Sequence, residues 1–309
     1  MALYAFDGTG DDDRDTGTDI QAIAEQTNVW KFYQAYVGNK PGVGNVYKEG
    51  LGTRYGPIGA ALGAPFGAGW ISRISEAYDS LCENYAAGDH DIDVVGFSRG
   101  SALALGFVNK VNSDGIKKNG AVIAPHPPIR FVALFDVVAA FGVASLGGPF
   151  AHLQPLHKLT LPANVEHCYH AMALDERRIP FEVTRVPGAY EVWFRGVHCD
   201  IGGSNDNIGL SNISLRWMWR KAMLCGLPIT DANLNAGHDG CCSTDSIKPG
   251  FACRAEKIFW RPANPTDLVH YTVAEHGVRP NEACNSRVGP NNPVETAEFE
   301  VKRRDVPGT

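Results

Sequence analysis

The sequence predicts an α/β fold, a mainly parallel central sheet flanked by helices, and three observations carry that prediction. Short apolar runs recur at residues 3–6, 91–97, 129–135, 165–174 and 190–197. Stretches of helical periodicity lie among them, at residues 29–37, 70–87, 101–108 and 211–224. Strands that alternate with helices form parallel sheets, because each crossover needs an element to carry the chain back. Polar residues able to do chemistry stand directly after the runs, at Asp7, Ser98, Asp136 and His198 to Asp200. In open parallel sheets the loops at the carboxyl ends of strands build the functional site.

Length and charge narrow the class. A chain of 309 residues with 44% hydrophobic and 20% charged residues can bury one large core, so residues 1–309 read as a single domain with a loop-rich, Cys-containing part at about 228–309. A net charge of −6 offers no basic surface to nucleic acid. No apolar run approaches membrane-spanning length, so any membrane contact is expected to be transient and at the surface. Met1 to Phe6 runs into Asp7 without a basic start or a long apolar core, which predicts no classical export signal. The expected location is cytoplasmic, with non-classical secretion as the alternative. Oligomeric state leaves no trace in the sequence.

Leu3-Tyr4-Ala5-Phe6 reads as a first strand delivering Asp7-Gly8-Thr9-Gly10. The glycines let backbone N–H groups approach a ligand, so Gly8 and Thr9 are candidate oxyanion donors. The letters also resemble the Asp-x-Asp-Gly-Thr of haloacid-dehalogenase phosphatases, but Ala5 stands where their attacking aspartate would be. The run Asp11-Asp12-Asp13-Arg14-Asp15 reads as a solvated loop, and no metal is expected. Thr27-Asn28-Val29 opens a helix with Val29, Phe32, Tyr33, Tyr36 and Val37 on one face. Residues 50–69 set Gly56, Gly59, Gly63 and Gly67 among apolar residues, either for close backbone packing or as an apolar flap over an acyl groove. A helix then carries Ile71, Ile74, Tyr78, Leu81 and Tyr85 at i+3 and i+4 spacing and stops at Gly88.

Asp91 to Val95 ends in Gly96-Phe97-Ser98-Arg99-Gly100, and Ser101 to Val108 continues as helix. Strand, sharp turn and helix are the context that makes Gly-x-Ser-x-Gly a nucleophile elbow, with small residues where the turn packs against its neighbours. Ser98 is therefore the candidate nucleophile and the N–H of Arg99 a candidate oxyanion donor. A hydroxyl needs a histidine to take its proton and a carboxylate to orient that histidine. In this fold the expected chain order is serine, acid, histidine. Asp200 is the preferred acid, because it follows a late strand and precedes Gly202-Gly203, and Asp136 is the second candidate. The base then comes later. His270, presented by Asp267-Leu268-Val269, is preferred over His238 and His276, and His198 and His170 fit the order less well. The helix at residues 211–224 takes Ser211 as N-cap and Gly226 as stop. Cys241, Cys242, Cys253 and Cys284 lack the paired spacing of a zinc site and leave disulfides or free thiols equally open.

Several motifs occur together and in order: Phe6-Asp7-Gly8-Thr9-Gly10, Thr27-Asn28-Val29, Gly96-Phe97-Ser98-Arg99-Gly100, Leu134-Phe135-Asp136-Val137, His170 to Arg178 and Gly196-Val197-His198-Cys199-Asp200-Ile201-Gly202-Gly203. Over the first strand to about Leu227 the chain resembles the α/β-hydrolase domain family that includes the phospholipase effectors of bacterial type VI secretion. The resemblance implies an α/β-hydrolase-like fold, Ser98 as nucleophile, Asp200 as acid and a later histidine in a His-x-Ser-Val segment, for which Val269-His270-Tyr271-Thr272-Val273 is nearest, with Thr272 replacing the serine. Residues and resemblance together predict a serine ester hydrolase acting on a small-molecule or lipid ester, without a cofactor. The contrasting expectation is a non-catalytic binding or effector-delivery module on the same fold.

Overall fold

The computed structural model describes residues 1–8, 27–37, 44–50, 66–139, 159–178, 181–205, 208–230, 241–243, 247, 260–277, 284–288 and 291–302, with helix residues 66–69 described for backbone only. Thr9, His238, Cys253, the acidic run and most of the glycine-rich stretch lie outside these residues.

Seven parallel strands form the central sheet: β1 (Ala2–Phe6), β2 (Val46–Lys48), β3 (Ile92–Phe97), β6 (Ile129–Phe135), β7 (Val165–Ala173), β8 (Tyr190–Phe194) and β9 (Leu268–Val269). Their spatial order is β2-β1-β3-β6-β7-β8-β9. The central strands read as apolar runs because both faces are covered. Along β1, Leu3 and Ala5 enter one apolar cluster with Phe32, Phe131 and Trp217, while Ala2, Tyr4 and Phe6 enter the other with Trp70, Leu81 and Phe107. That is the two-residue period of a strand expressed in packing. Helices α1 (Asn28–Ala35) and α5 (Gly209–Leu224) cover the first face, and α2 (Phe66–Ala86) and α3 (Arg99–Asp114) the second. No helix among the described residues is long and apolar enough to cross a membrane.

The elements differ from expectation in places with clear causes. Thr27 caps α1 as its side chain suggests, its Oγ1 accepting from Trp30 N at 3.0 Å. Helix α5 starts at Gly209, two residues before Ser211, whose hydroxyl donates to Ile208 O at 3.1 Å instead of capping. His167, Cys168 and His170 do not break β7, since all three are buried within it. The last strand run ends early, at Phe194, and His198 to Gly202 forms a short helix, α4. The hairpin β4 (Ile116–Lys118) and β5 (Ala121–Ala124) turns through Asn119-Gly120, both at positive φ (50° and 81°), a legible Asn-Gly turn.

Gly100 locks the first turn of α3 onto the end of β1. A Cβ there would lie 2.2 Å from Phe6 O and 2.5 Å from Asp7 O, and backbone atoms cannot step aside. In an open helix Gly→Ala stabilises by about 1 kcal/mol. Here Gly100→Ala is expected to destabilise by about 3 kcal/mol or more through overpacking, read as a lowered melting temperature.

Candidate active site

Strand register sets the site. Phe97 of β3 pairs with Phe135 of β6, so the next residues, Ser98 and Asp136, leave the sheet side by side. Ser98 N donates to Phe135 O at 2.9 Å, and Ser98 O accepts from Val138 N at 3.3 Å and Ser101 N at 3.1 Å. Ser98 sits at φ 57° and ψ −127°, an unusual conformation for a residue with a side chain and the strained geometry of an elbow. Arg99 begins α3, whose positive end faces this turn. Gly8 adjoins it from β1: a Cβ on Gly8 would meet the Ser98 Cβ at 3.4 Å and the Phe97 ring at 2.8 Å.

Asp136 is fully buried and surrounded by donors. Ala173 N donates to its Oδ1 at 2.8 Å, and the Arg261 guanidinium grips both oxygens at 2.6 and 2.9 Å. His198 Nδ1 lies 2.6 Å from Oδ2. Burial alone would raise the Asp136 carboxyl pKa, but the charge of Arg261 and the bond to His198 outweigh it and hold the group well below the usual carboxylate range. An ionised Asp136 accepts only, so His198 Nδ1 carries the proton and Nε2 presents its lone pair. The imidazole packs against Phe97 and Phe181, with centroids at 4.6 and 4.9 Å, and His198 N donates to Glu176 Oε2 at 3.2 Å. Ser98 and His198 are 3% and 2% exposed, so the reacting groups are shielded from bulk water. Within the described residues the Ser98 hydroxyl makes no hydrogen bond to the imidazole. Catalytic contacts of this kind often tighten only with substrate bound.

His170 supports the turn that carries Asp136: its Nε2 accepts from Val137 N at 3.1 Å, and its Nδ1 lies 3.0 Å from Glu191 Oε1.

The preferred acid and base, Asp200 and His270, are not paired with each other. Asp200 is the third residue of α4, buried rather than displayed on a turn, and both its oxygens are occupied. Oδ2 accepts from Val197 N at 2.9 Å, as in half of a capping box, and Oδ1 from Asn205 Nδ2 at 2.5 Å. Burial, with smaller contributions from Asp175 and Glu176, raises its pKa to about 7. His270 follows β9, four strands from β3 and so about 19 Å across the sheet. Its ring stacks on Phe194 at 4.6 Å, Nδ1 meets Thr272 Oγ1 at 2.8 Å, and Nε2 is buried without a partner. Burial and the charges of Arg220, Arg216 and Lys221 lower its pKa to about 3. His276 Nδ1 meets the carbonyl of Gly277 at 3.1 Å. Gly8 fails as a free oxyanion donor for a local reason: its N–H donates to Asp7 Oδ1 at 2.7 Å. Burial raises the Asp7 pKa to about 6, although Oδ2 accepts from Thr27 Oγ1 at 2.6 Å and Tyr47 OH at 2.5 Å.

The Asp200 shift has a measurable sign. A carboxyl at about 7 when folded and near 3.8 when unfolded favours folding below pH 4, and that contribution is lost as pH rises to about 7. Asp200→Asn, with Asn205 turning its amide oxygen inward, is expected to flatten this decline. At pH 8 the variant should be more stable than wild type by up to about 4 kcal/mol, read by urea denaturation.

A family model describing the catalytic domain of Tle1-like phospholipase effectors of type VI secretion matches residues 3–122 and 109–221. The chain belongs to this Tle1-like family. Ser98, Asp136 and His198 lie within the matched residues of the Tle1-like domain, and Arg261 and His270 lie beyond them. Among solved structures, the Tle1 effector bound to the VgrG spike from the type VI secretion system is similar, with a TM-score of 0.46 and 23% identity over 66% of this chain and 51% of that one. The chain thus spans about half the length of that relative. No curated protein matches.

Arg261 and Glu176 have no signal in the sequence. Arg261 stands outside any recognisable motif, and Glu176, though it falls within the His170 to Arg178 motif, carries no spacing that assigns it a role; both reach the site through the fold.

Proposed function

We propose that this Tle1-like domain is a serine hydrolase of lipid acyl esters, with Ser98 as nucleophile, His198 as general base and Asp136 as the carboxylate that orients it. The observation carrying the reading is the buried 2.6 Å contact between Asp136 Oδ2 and His198 Nδ1, one register step from the elbow. Ser98 Oγ attacks the ester carbonyl as His198 Nε2 takes its proton. The oxyanion that develops meets the amino end of α3, where the N–H of Arg99 is the donor of choice. His198 then returns the proton to the departing alcohol, and water, deprotonated by the same nitrogen, releases the fatty acid. The chain order serine, acid, histidine is kept, with both later residues drawn from nearer positions than Asp200 and His270.

Phospholipid is the substrate class that the family description favours, and delivery by the type VI apparatus would need no signal peptide. Release of fatty acid from phosphatidylcholine and phosphatidylethanolamine vesicles tests the reading, beside p-nitrophenyl esters of increasing acyl length. The expected result is fatty acid release by wild type and none by Ser98→Ala. Failure to cleave every vesicle and every ester would leave the binding or delivery module as the better account.

A further inference from the structure

We propose that Arg261 is a positioning residue that clamps the Asp136 carboxylate and sets the lowest pH at which His198 can act as a base. The inference rests on the triad reading above. Arg261 comes from the loop-rich C-terminal part, yet its side chain is 2% exposed and ends on the buried acid. Nη1 donates to Asp136 Oδ1 at 2.6 Å and Nη2 to Oδ2 at 2.9 Å, a fork matched to both carboxylate oxygens. Two further bonds fix the fork's orientation: Nη1 also donates to Ala173 O at 2.7 Å and Nη2 to Phe181 O, while Nε is buried without a partner. Asn285 anchors the backbone, its Nδ2 donating to Arg261 O and to Leu174 O, both at 3.0 Å, and its N–H to Asp175 Oδ1 at 2.8 Å. Arginine, carboxylate and imidazole form one buried row, and the carboxylate has to serve two partners.

A triad acid stabilises the imidazolium that forms when the serine proton is taken. Here a permanent cation shares that carboxylate, so the imidazolium gains less from it than from an unshared one. The other charges around His198 are internally matched. Glu176, which accepts the His198 N–H, pairs with Arg178 at 3.0 Å, and Asp175 pairs with Arg195 at 2.8 Å. Asp200, on the same helix as His198, is spent on Val197 N and Asn205. Arg261 is thus the cation bonded to the acid itself. Removing a positive charge makes every neighbouring group hold protons more tightly. The carboxyl of Asp136 and the ring of His198 therefore move in the same direction, and the sign is fixed: without Arg261 the acid limb of the pH–rate profile shifts upward.

The test compares kcat/KM for a p-nitrophenyl ester from pH 5 to 9 in wild type, Arg261→Gln, Arg261→Lys and His198→Ala. Arg261→Gln is expected to raise the midpoint of the acid limb by about one pH unit or more. Arg261→Lys keeps the charge but loses the fork, so its limb stays within about 0.3 of wild type while kcat falls several-fold, by about 3 to 10 times. A merely structural arginine would lower the active fraction and leave the limb in place. Superimposable limbs for wild type and Arg261→Gln overturn the proposal, as does Arg261→Lys matching wild type in rate. Should Arg261→Gln fail to fold, Arg261→Lys decides alone: a shifted limb or an unchanged kcat rejects the proposal. Wild-type activity in His198→Ala would reject the triad reading itself. Loss of activity there together with unmoved Arg261 profiles would reject only the role of Arg261.

Discussion

With His198 replaced by alanine, ester hydrolysis is expected to fall by about 10^6-fold, the scale on which serine hydrolases lose rate without their base. His270→Ala is expected to stay within about threefold of wild type. The contrast follows from position. His198 stands one carboxylate away from the elbow, with its Nδ1 2.6 Å from Asp136 Oδ2. His270 lies beyond β8, stacked on Phe194, with a hydroxyl rather than a carboxylate at Nδ1. A ring whose pKa is pushed to about 3 has little affinity for the serine proton near neutral pH. Both residues are buried, so the comparison is read on kcat for folded protein, with thermal melts of each variant beside it. Equal losses in the two variants would count against the assignment, and a larger loss in His270→Ala would reverse it.

Asp136→Asn is expected to lower kcat by about 10^4-fold, the scale seen when a triad carboxylate becomes an amide and the imidazole loses its tautomer. Asp200→Asn should retain activity within a few-fold, while gaining stability at pH 8 as described above. The two carboxyls differ in their partners. Asp136 holds an imidazole and a guanidinium and stays ionised. Asp200 holds a backbone N–H and an amide, tasks that asparagine can share. A catalytic Asp200 would instead give loss of activity together with that gain in stability.

The parallel sheet and the elbow were legible because each writes itself locally. Strands covered on both faces read as apolar runs, and Gly-x-Ser-x-Gly between a strand and a helix encodes a turn that only small neighbours permit. Gly100 illustrates the second point, since Phe6 O and Asp7 O leave no room for a Cβ. The acid and base proposed here were not legible, because chain order alone admits both Asp136 with His198 and Asp200 with His270. What separates them is strand adjacency: β6 lies next to β3, so Phe97 opposite Phe135 puts Asp136 beside Ser98. Apolar periodicity carries no record of which strands become neighbours. His198 and Asp200 are two residues apart on one short helix and therefore point to different sides, a distinction lost when the segment is read as the end of a strand. Asp7 likewise looked like the lead-in to an oxyanion loop, whereas its buried carboxyl takes the N–H of Gly8.

Covalent labelling with a fluorophosphonate tests the triad most directly, because the probe reacts with a serine only when that serine is activated. Peptide mass spectrometry of the wild-type protein should place the adduct on Ser98. The adduct should be absent from Ser98→Ala, lost from His198→Ala and retained in His270→Ala. Normal labelling of Ser98→Ala, or labelling that survives in His198→Ala and vanishes in His270→Ala, would contradict it.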